Sequence, residues 1–265
     1  MSRAGFPHAR AGLEAFDIVV IGAGPAGQKA AIQGAKAGKK VLLIERSAGV
    51  GGECVHRGTI PSKTLRETAV YLDGFRQRSE GVLNVDLPPE LKLESLMRRQ
   101  NKVLEAHEVF IRAQLERNHI TLLRGRASFV DEHEVDVTSV DGSHRHVTGE
   151  YFVIATGSRP RTPPEVPVYH ESILDSDSIL SLIYVPQSLV VLGAGVIASE
   201  FASIFASLGV KVTMIDRGER PLPFLDPELT DSFLANFTRH GNTYLAGRQV
   251  VRVTTDRLGA TAHLA

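Results

Sequence analysis

Twice along this chain a short, β-branched apolar run breaks into closely spaced glycines and then into a helix-compatible stretch. No other feature limits the fold as much. The first copy reads Phe16-Asp17-Ile18-Val19-Val20-Ile21, then Gly22-Ala23-Gly24-Pro25-Ala26-Gly27, and after Gly38 a second apolar run ends at Glu45. The second copy reads Ser188-Leu189-Val190-Val191-Leu192, then Gly193-Ala194-Gly195-Val196-Ile197-Ala198, and returns as a strand over 210–216. Two parallel strands need a crossover of about this length. The expected class is therefore α/β, built on two separate β-α-β cores.

The glycine spacing adds a ligand to each core. In a Gly-x-Gly-x-x-Gly turn the first glycine makes the bend and the second lets the backbone approach a pyrophosphate. The third packs helix against strand, and the helix N-terminus offers unpaired N–H groups to the anion. Gly22, Gly24 and Gly27 fit, and Glu45 closes the next strand as a ribose acceptor. Gly193 and Gly195 fit likewise, with Ala198 in the third place and Asp216 as the acid. Both cores read as Rossmann-like dinucleotide sites. Asp216 suits a free 2′-hydroxyl, whereas Arg217 and Arg220 immediately after it suit a 2′-phosphate. The second site is expected to accept both NAD(H) and NADP(H).

Elsewhere, apolar positions recur at helical spacing over 91–117, which predicts one long amphipathic helix. Short alternating runs at 120–123, 126–130, 134–138 and 151–155, with Asp141-Gly142 as a hairpin signal, predict a small antiparallel meander. The proline-rich stretch 159–167 reads as a linker, and 250–255 with 260–264 as a hairpin whose open edge invites aggregation. The resulting division is an extension over 1–15, a first nucleotide domain over 16–158, a linker and domain start over 159–187, and a second domain over 188–265.

Thirty basic residues balance thirty acidic ones among 265, which argues against a phosphate-tracking nucleic-acid protein. Residues 1–15 lack the apolar centre of a secretory signal. The apolar stretch 188–210 carries Glu200 and a glycine fingerprint, so strand–turn–helix explains it better than a membrane span. The single cysteine, Cys54, excludes a disulfide scaffold and suits a reducing cytoplasm. No His/Cys cluster shows metal spacing.

That cysteine lies in Gly51-Gly52-Glu53-Cys54-Val55-His56-Arg57-Gly58-Thr59-Ile60-Pro61-Ser62-Lys63. The segment resembles the redox-active helix of the flavoprotein disulfide reductases, whose pattern is Gly-Gly-x-Cys-x-x-x-x-Cys-x-Pro. Cys54 matches the first cysteine, and Thr59 stands where the second would. His56, Thr59 and the run Leu174-Asp175-Ser176-Asp177-Ser178 resemble one branch of that group, the soluble (Si-specific) NAD(P)+ transhydrogenases. The likeness runs from about Phe16 to the C-terminus.

The resemblance implies FAD at the first fingerprint and NAD(H) and NADP(H) as substrates at the second. It places Gly51, Gly52, Cys54, Thr59 and the turn Thr156-Gly157 beside the flavin, and it pairs Lys63 with Glu200 as catalytic residues where the nicotinamide docks. A cation there stabilises negative charge on a reduced ring. Without a second sulfur, electrons have no dithiol exit, so a second nicotinamide takes them in a ping-pong exchange from NADPH to NAD+. Full-length relatives are homo-oligomers that continue past the position matching Ala265, so the resemblance implies an N-terminal portion lacking the C-terminal interface domain. Two other readings stay open: an FAD-dependent NAD(P)H oxidoreductase with a quinone, oxygen or metal-ion acceptor, and a catalytically silent nucleotide-binding fragment.

Overall fold

A computed structural model describes residues 13–79, 93–257 and 259–265. The proposed extension lies mostly outside these, as do positions 91 and 92 of the expected long helix. Contacts divide the chain into two compact units, Met1–Thr59 with Lys102–Arg159, and Ile60–Asn101 with Pro160–Ala265. As bodies in space they therefore differ from the continuous spans 16–158 and 188–265.

In chain order the first elements are β1 (Glu14–Ile21), α1 (Pro25–Lys36), β2 (Val41–Glu45), α2 (Gly52–His56), α3 (Thr59–Ser79) and α4 (Leu93–Arg117). There follow β3 (Thr121–Arg124), β4 (Arg126–Phe129), β5 (Glu134–Thr138) and β6 (His144–Ile154). The first unit is one six-stranded sheet in the order β3-β2-β1-β6-β5-β4. This corrects the expected meander in two places. Thr121–Arg124 pairs in parallel with β2 and extends the Rossmann-like part. The run at 151–155 is the end of an eleven-residue strand that pairs with β5 antiparallel through its first half and with β1 in parallel. The Asp141-Gly142 signal does mark the β5–β6 turn, with Gly142 at a φ of 82°.

The sheet continues because its apolar side chains share one core. Phe16 and Val19 of β1, Leu42 and Ile44 of β2, Val135 and Val137 of β5 and Val147 of β6 pack as one buried cluster. Each such side chain contributes about 1.5–3 kcal/mol by leaving water, so the antiparallel strands are held to the parallel ones by burial as well as by their ladder. Helix α1 packs on β1 and β2, and its Ala31 and Ile32 are buried.

The second unit contains β7 (Ser188–Leu192), α5 (Val196–Ser207), β8 (Lys211–Ile215), α6 (Pro227–Arg239) and β9 (Thr243–Leu245), followed by the hairpin β10 (Val250–Asp256) and β11 (Gly259–Leu264). Strands β7, β8 and β9 form a parallel sheet in that order, and the hairpin is a separate two-stranded ribbon. Phe201, Ala202, Ile204 and Phe205 of α5 are buried with Val212 and Met214 of β8, Phe237 of α6, and Leu65 and Ala69 of α3. The full extent of α3 and α6 goes beyond the sequence reading. For α6 the signal was present: Asp226 caps Glu228 N–H through its side chain, and Pro227 opens the helix.

Candidate functional site

Each glycine turn is built by the same set of hydrogen bonds. Gly22 N–H donates to Ile44 O at 2.8 Å, and Gly193 N–H donates to Ile215 O at 2.7 Å. Ala23 N–H donates to Glu45 Oε2, and Ala194 N–H to Asp216 Oδ2, each at 2.8 Å. The second carboxylate oxygen also repeats: Glu45 Oε1 accepts from Ser47 N–H at 2.8 Å and Asp216 Oδ1 from Gly218 N–H at 2.6 Å. Inside the loop, Gln28 Nε2 donates to Ala23 O at 2.7 Å, and Ser199 Oγ donates to Ala194 O at 3.3 Å. The acid at the end of each second strand therefore fixes the loop that carries the glycines. Its remaining lone pairs stay available for a ribose.

Both crossover helices start on an uncapped glycine, Gly24 for α1 and Gly195 for α5. A Cβ built on Gly24 would meet only Gly52 Cα, at 3.9 Å, and one on Gly195 would meet nothing within 4 Å. First-turn N–H groups with no side-chain cap and open space above the glycine are what a pyrophosphate requires. The residues present fit a dinucleotide such as FAD at the first turn and NAD(P) at the second.

The first turn is the more enclosed. Gly22 has a φ of 107°, and a Cβ on it would lie 2.3 Å from Ala155 O and 3.3 Å from Thr156 Cα. Ala155 N–H donates to Ile21 O at 2.8 Å, which brings Thr156 to the turn, and exposed Gly157 follows with a φ of 70°. A Cβ on Gly27 would sit 1.8 Å from Gly22 O, so only glycine fits there. The Gly51–Gly52 step also reaches this turn: Gly51 N–H donates to Ala23 O at 2.9 Å. Cys54 is half-buried in α2, and exposed Thr59 opens α3.

His56, which stands in the cysteine segment, acts as a clamp. Its Nε2–H donates to Val50 O at 2.9 Å. Arg112 of α4 donates to Ala48 O at 3.2 Å while bound to Glu108. Together they hold the loop that presents Gly51 and Gly52. In the same way the Asp175-Ser176-Asp177-Ser178 run is a local turn: Asp175 Oδ1 accepts from Ser178 N–H and Oγ, both at 2.8 Å. Burial alone raises the Asp175 carboxyl, but the Ser178 and Asp177 hydrogen bonds outweigh it and hold it below the ordinary carboxylate range.

Within the second unit, Lys63 Nζ forms an ion pair with Glu200 Oε1, and Ser62 Oγ donates to the same oxygen at 3.3 Å. The Glu200 side chain is 19% exposed and that of Lys63 57%. An exposed pair of this kind adds little to stability. Its consequence is positional, since Glu200 holds a cation at the opening turns of α3 and α5.

At the second acid corner Arg217 is exposed, while Arg220 donates to Pro227 O at 3.1 Å and pairs with Asp231 on α6. Tyr244, which sequence reasoning missed, donates from its hydroxyl to Gly218 O at 3.1 Å. Burial first, and then the Asp216 and Glu219 carboxylates, push its phenol above the ordinary value.

Among the described residues no helix is long and apolar enough to cross a membrane. The family described as pyridine nucleotide-disulphide oxidoreductase matches residues 16–264. A soluble pyridine nucleotide transhydrogenase from Mycobacterium bovis is 42% identical over 253 residues, covering 94% of this chain and 54% of its own. One from Colwellia psychrerythraea is 38% identical over 249 residues, covering 94% and 53%. The crystal structure of LpdA from Mycobacterium tuberculosis superposes with a TM-score of 0.85 at 26% identity, covering 95% of this chain and 55% of that one. The chain thus spans about half the length of the curated relatives it matches.

Proposed function

Since the chain belongs to the pyridine nucleotide-disulphide oxidoreductase family, whose members use FAD and NAD(P)H, we propose that its protein catalyses FAD-dependent hydride exchange from NADPH to NAD+. The observation that carries this reading is Thr59. It opens α3 at the position where a dithiol enzyme of the family has its second cysteine, and Cys54 is the only thiol in the chain. A threonine hydroxyl does no two-electron redox chemistry, so the α2–α3 segment offers no dithiol for disulfide reduction. The transhydrogenase names of the 42% and 38% identical relatives support the same acceptor class.

FAD, when bound, supplies a two-electron hydride carrier. The chain's own residues bind, orient and polarise. The α1 N-terminus and Gly24 would hold the pyrophosphate of FAD and Glu45 its ribose, while the α5 N-terminus, Gly195 and Asp216 would hold the nicotinamide nucleotide. Lys63, oriented by Glu200, would supply positive charge where the hydride is exchanged. Overall, NADPH and NAD+ become NADP+ and NADH with no net proton.

The test is spectrophotometric. Flavin-loaded protein given NADPH and thio-NAD+ is expected to form the reduced analogue and to leave lipoamide and glutathione disulfide unreduced. Efficient reduction of either disulfide, with no transfer to the analogue, would sink this reading.

A further inference from the structure

The chain around Asp216 is laid out by three backbone bonds: Asp216 N–H to Leu245 O at 3.1 Å, Arg248 N–H to Asp216 O at 2.9 Å, and Gly247 N–H to Gly218 O at 3.3 Å. They set the segment after β9 against the turn after β8. Arg248, exposed and distant in sequence, thereby arises directly beside the ribose acid. Glu219 faces the same segment, its Oε1 lying 3.3 Å from where a Cβ on Gly247 would sit. The corner thus gathers two carboxylates, Asp216 and Glu219, and two guanidinium-bearing residues, Arg217 and Arg248, while Arg220 is turned to Asp231 and the α6 start.

We propose that Arg248 is the second specificity-determining cation of the nucleotide site, so that Arg217 and Arg248, opposed by Glu219, recognise the 2′-phosphate of NADP(H). The inference rests on reading the second fingerprint as the nicotinamide nucleotide site. A phosphate monoester carries about −1.5 to −2 charge at neutral pH. Arg217 offsets Asp216, but Glu219 then repels that phosphate unless a further cation is present. Arg248 supplies it from the neighbouring strand end. With two charges of each sign the corner is balanced, and it holds either ribose. A free 2′-hydroxyl donates to Asp216, whereas a 2′-phosphate accepts charge-assisted bonds from the guanidinium groups.

Calorimetric titration of the flavin-loaded protein with 5′-ADP and with 2′,5′-ADP tests this, because the bound flavin keeps both probes out of the first turn. Arg248→Ala is expected to weaken 2′,5′-ADP about tenfold or more while leaving 5′-ADP within about twofold, which also reports that the site is folded. Glu219→Gln is expected to tighten 2′,5′-ADP, and Arg220→Ala to leave the ratio of the two affinities unchanged. If 5′-ADP binds normally and Arg248→Ala binds 2′,5′-ADP as tightly as the parent, or Arg220→Ala loses it instead, the assignment of Arg248 is overturned and the site reading stands. If the parent protein binds neither probe, the nucleotide reading of the second turn fails and takes this inference with it.

Discussion

The two glycine turns share their hydrogen bonds and differ in what surrounds them. In the first unit β1 is flanked by β2 and β6, and Val19 and Val20 are fully buried. The residues leaving β6 close over Gly22, and Gly27 has no room for a Cβ. In the second unit β7 pairs only with β8 among the described residues, and Val190, Val196 and Ile197 are exposed at 47%, 58% and 58%. Ala198 occupies the third-glycine place there. One backbone device thus serves in a closed setting and in an open one.

Substitution at the third position should break the equivalence most sharply. Gly27→Val is expected to destabilise the first unit by about 3 kcal/mol, because its Cβ has no space beside Gly22 O. Urea unfolding and flavin content would read it; an unchanged midpoint would mean that the closed turn can relax. A smaller contrast is expected at the acids. Glu45→Gln must turn an amide N–H₂ toward either Ala23 N–H or Ser47 N–H, a donor against a donor in a site only 9% exposed, at a cost of about 1–3 kcal/mol. Asp216→Asn meets the same conflict where water can enter, so its cost should be the lesser of the two. Equal losses in thermal unfolding would show that burial does not separate the turns.

Ala198→Gly sharpens the comparison from the other side. Restoring the usual glycine in the open turn is expected to lower stability by about 1 kcal/mol through helix propensity alone, with nucleotide affinity unaltered. A gain in stability would show that close packing matters there as it does at Gly27. Cys54→Ser should have less effect still. Since the Gly51–Gly52 step at the start of α2 meets the first turn through backbone, the substitution is expected to leave hydride transfer within about twofold, roughly 0.4 kcal/mol; a hundredfold drop would assign the thiol a role in the chemistry.

The smallest effect concerns a feature that the first unit has apart from its turn. The hydrogen bond from His144 Nδ1, at 2.8 Å, is the main cause holding the Asp136 carboxyl below its ordinary range; burial opposes it, while the charges of His144 and His146 and the Thr138 hydroxyl assist. A folded-state value below the unfolded one stabilises the β5–β6 pair above pH of about 4, and that contribution is lost as pH falls through the folded value. In His144→Ala the Asp136 titration followed by NMR should move upward. No movement would assign the depression to His146 and Thr138.

The strand–glycine–helix–strand–acid order was legible because it is local. A tight turn at positive φ needs glycine at Gly22, a helix start needs free N–H groups, and a closing carboxylate must stand at the end of the adjacent strand. Such requirements appear as residue types at short spacing. The position of Thr59 and the lone thiol were legible for the same reason. Tertiary structure alone decided where identical-looking segments went. Thr121–Arg124 reads like the other short alternating runs, yet it joins the parallel edge because β2 offers a ladder there. Arg220 and Arg248 are both arginines in loops, yet Arg220 pairs with Asp231 on α6, while a backbone bond sets Arg248 beside Asp216. Those outcomes depend on partners far away in the chain, and a charge or an open strand edge carries no local mark of which partner will reach it.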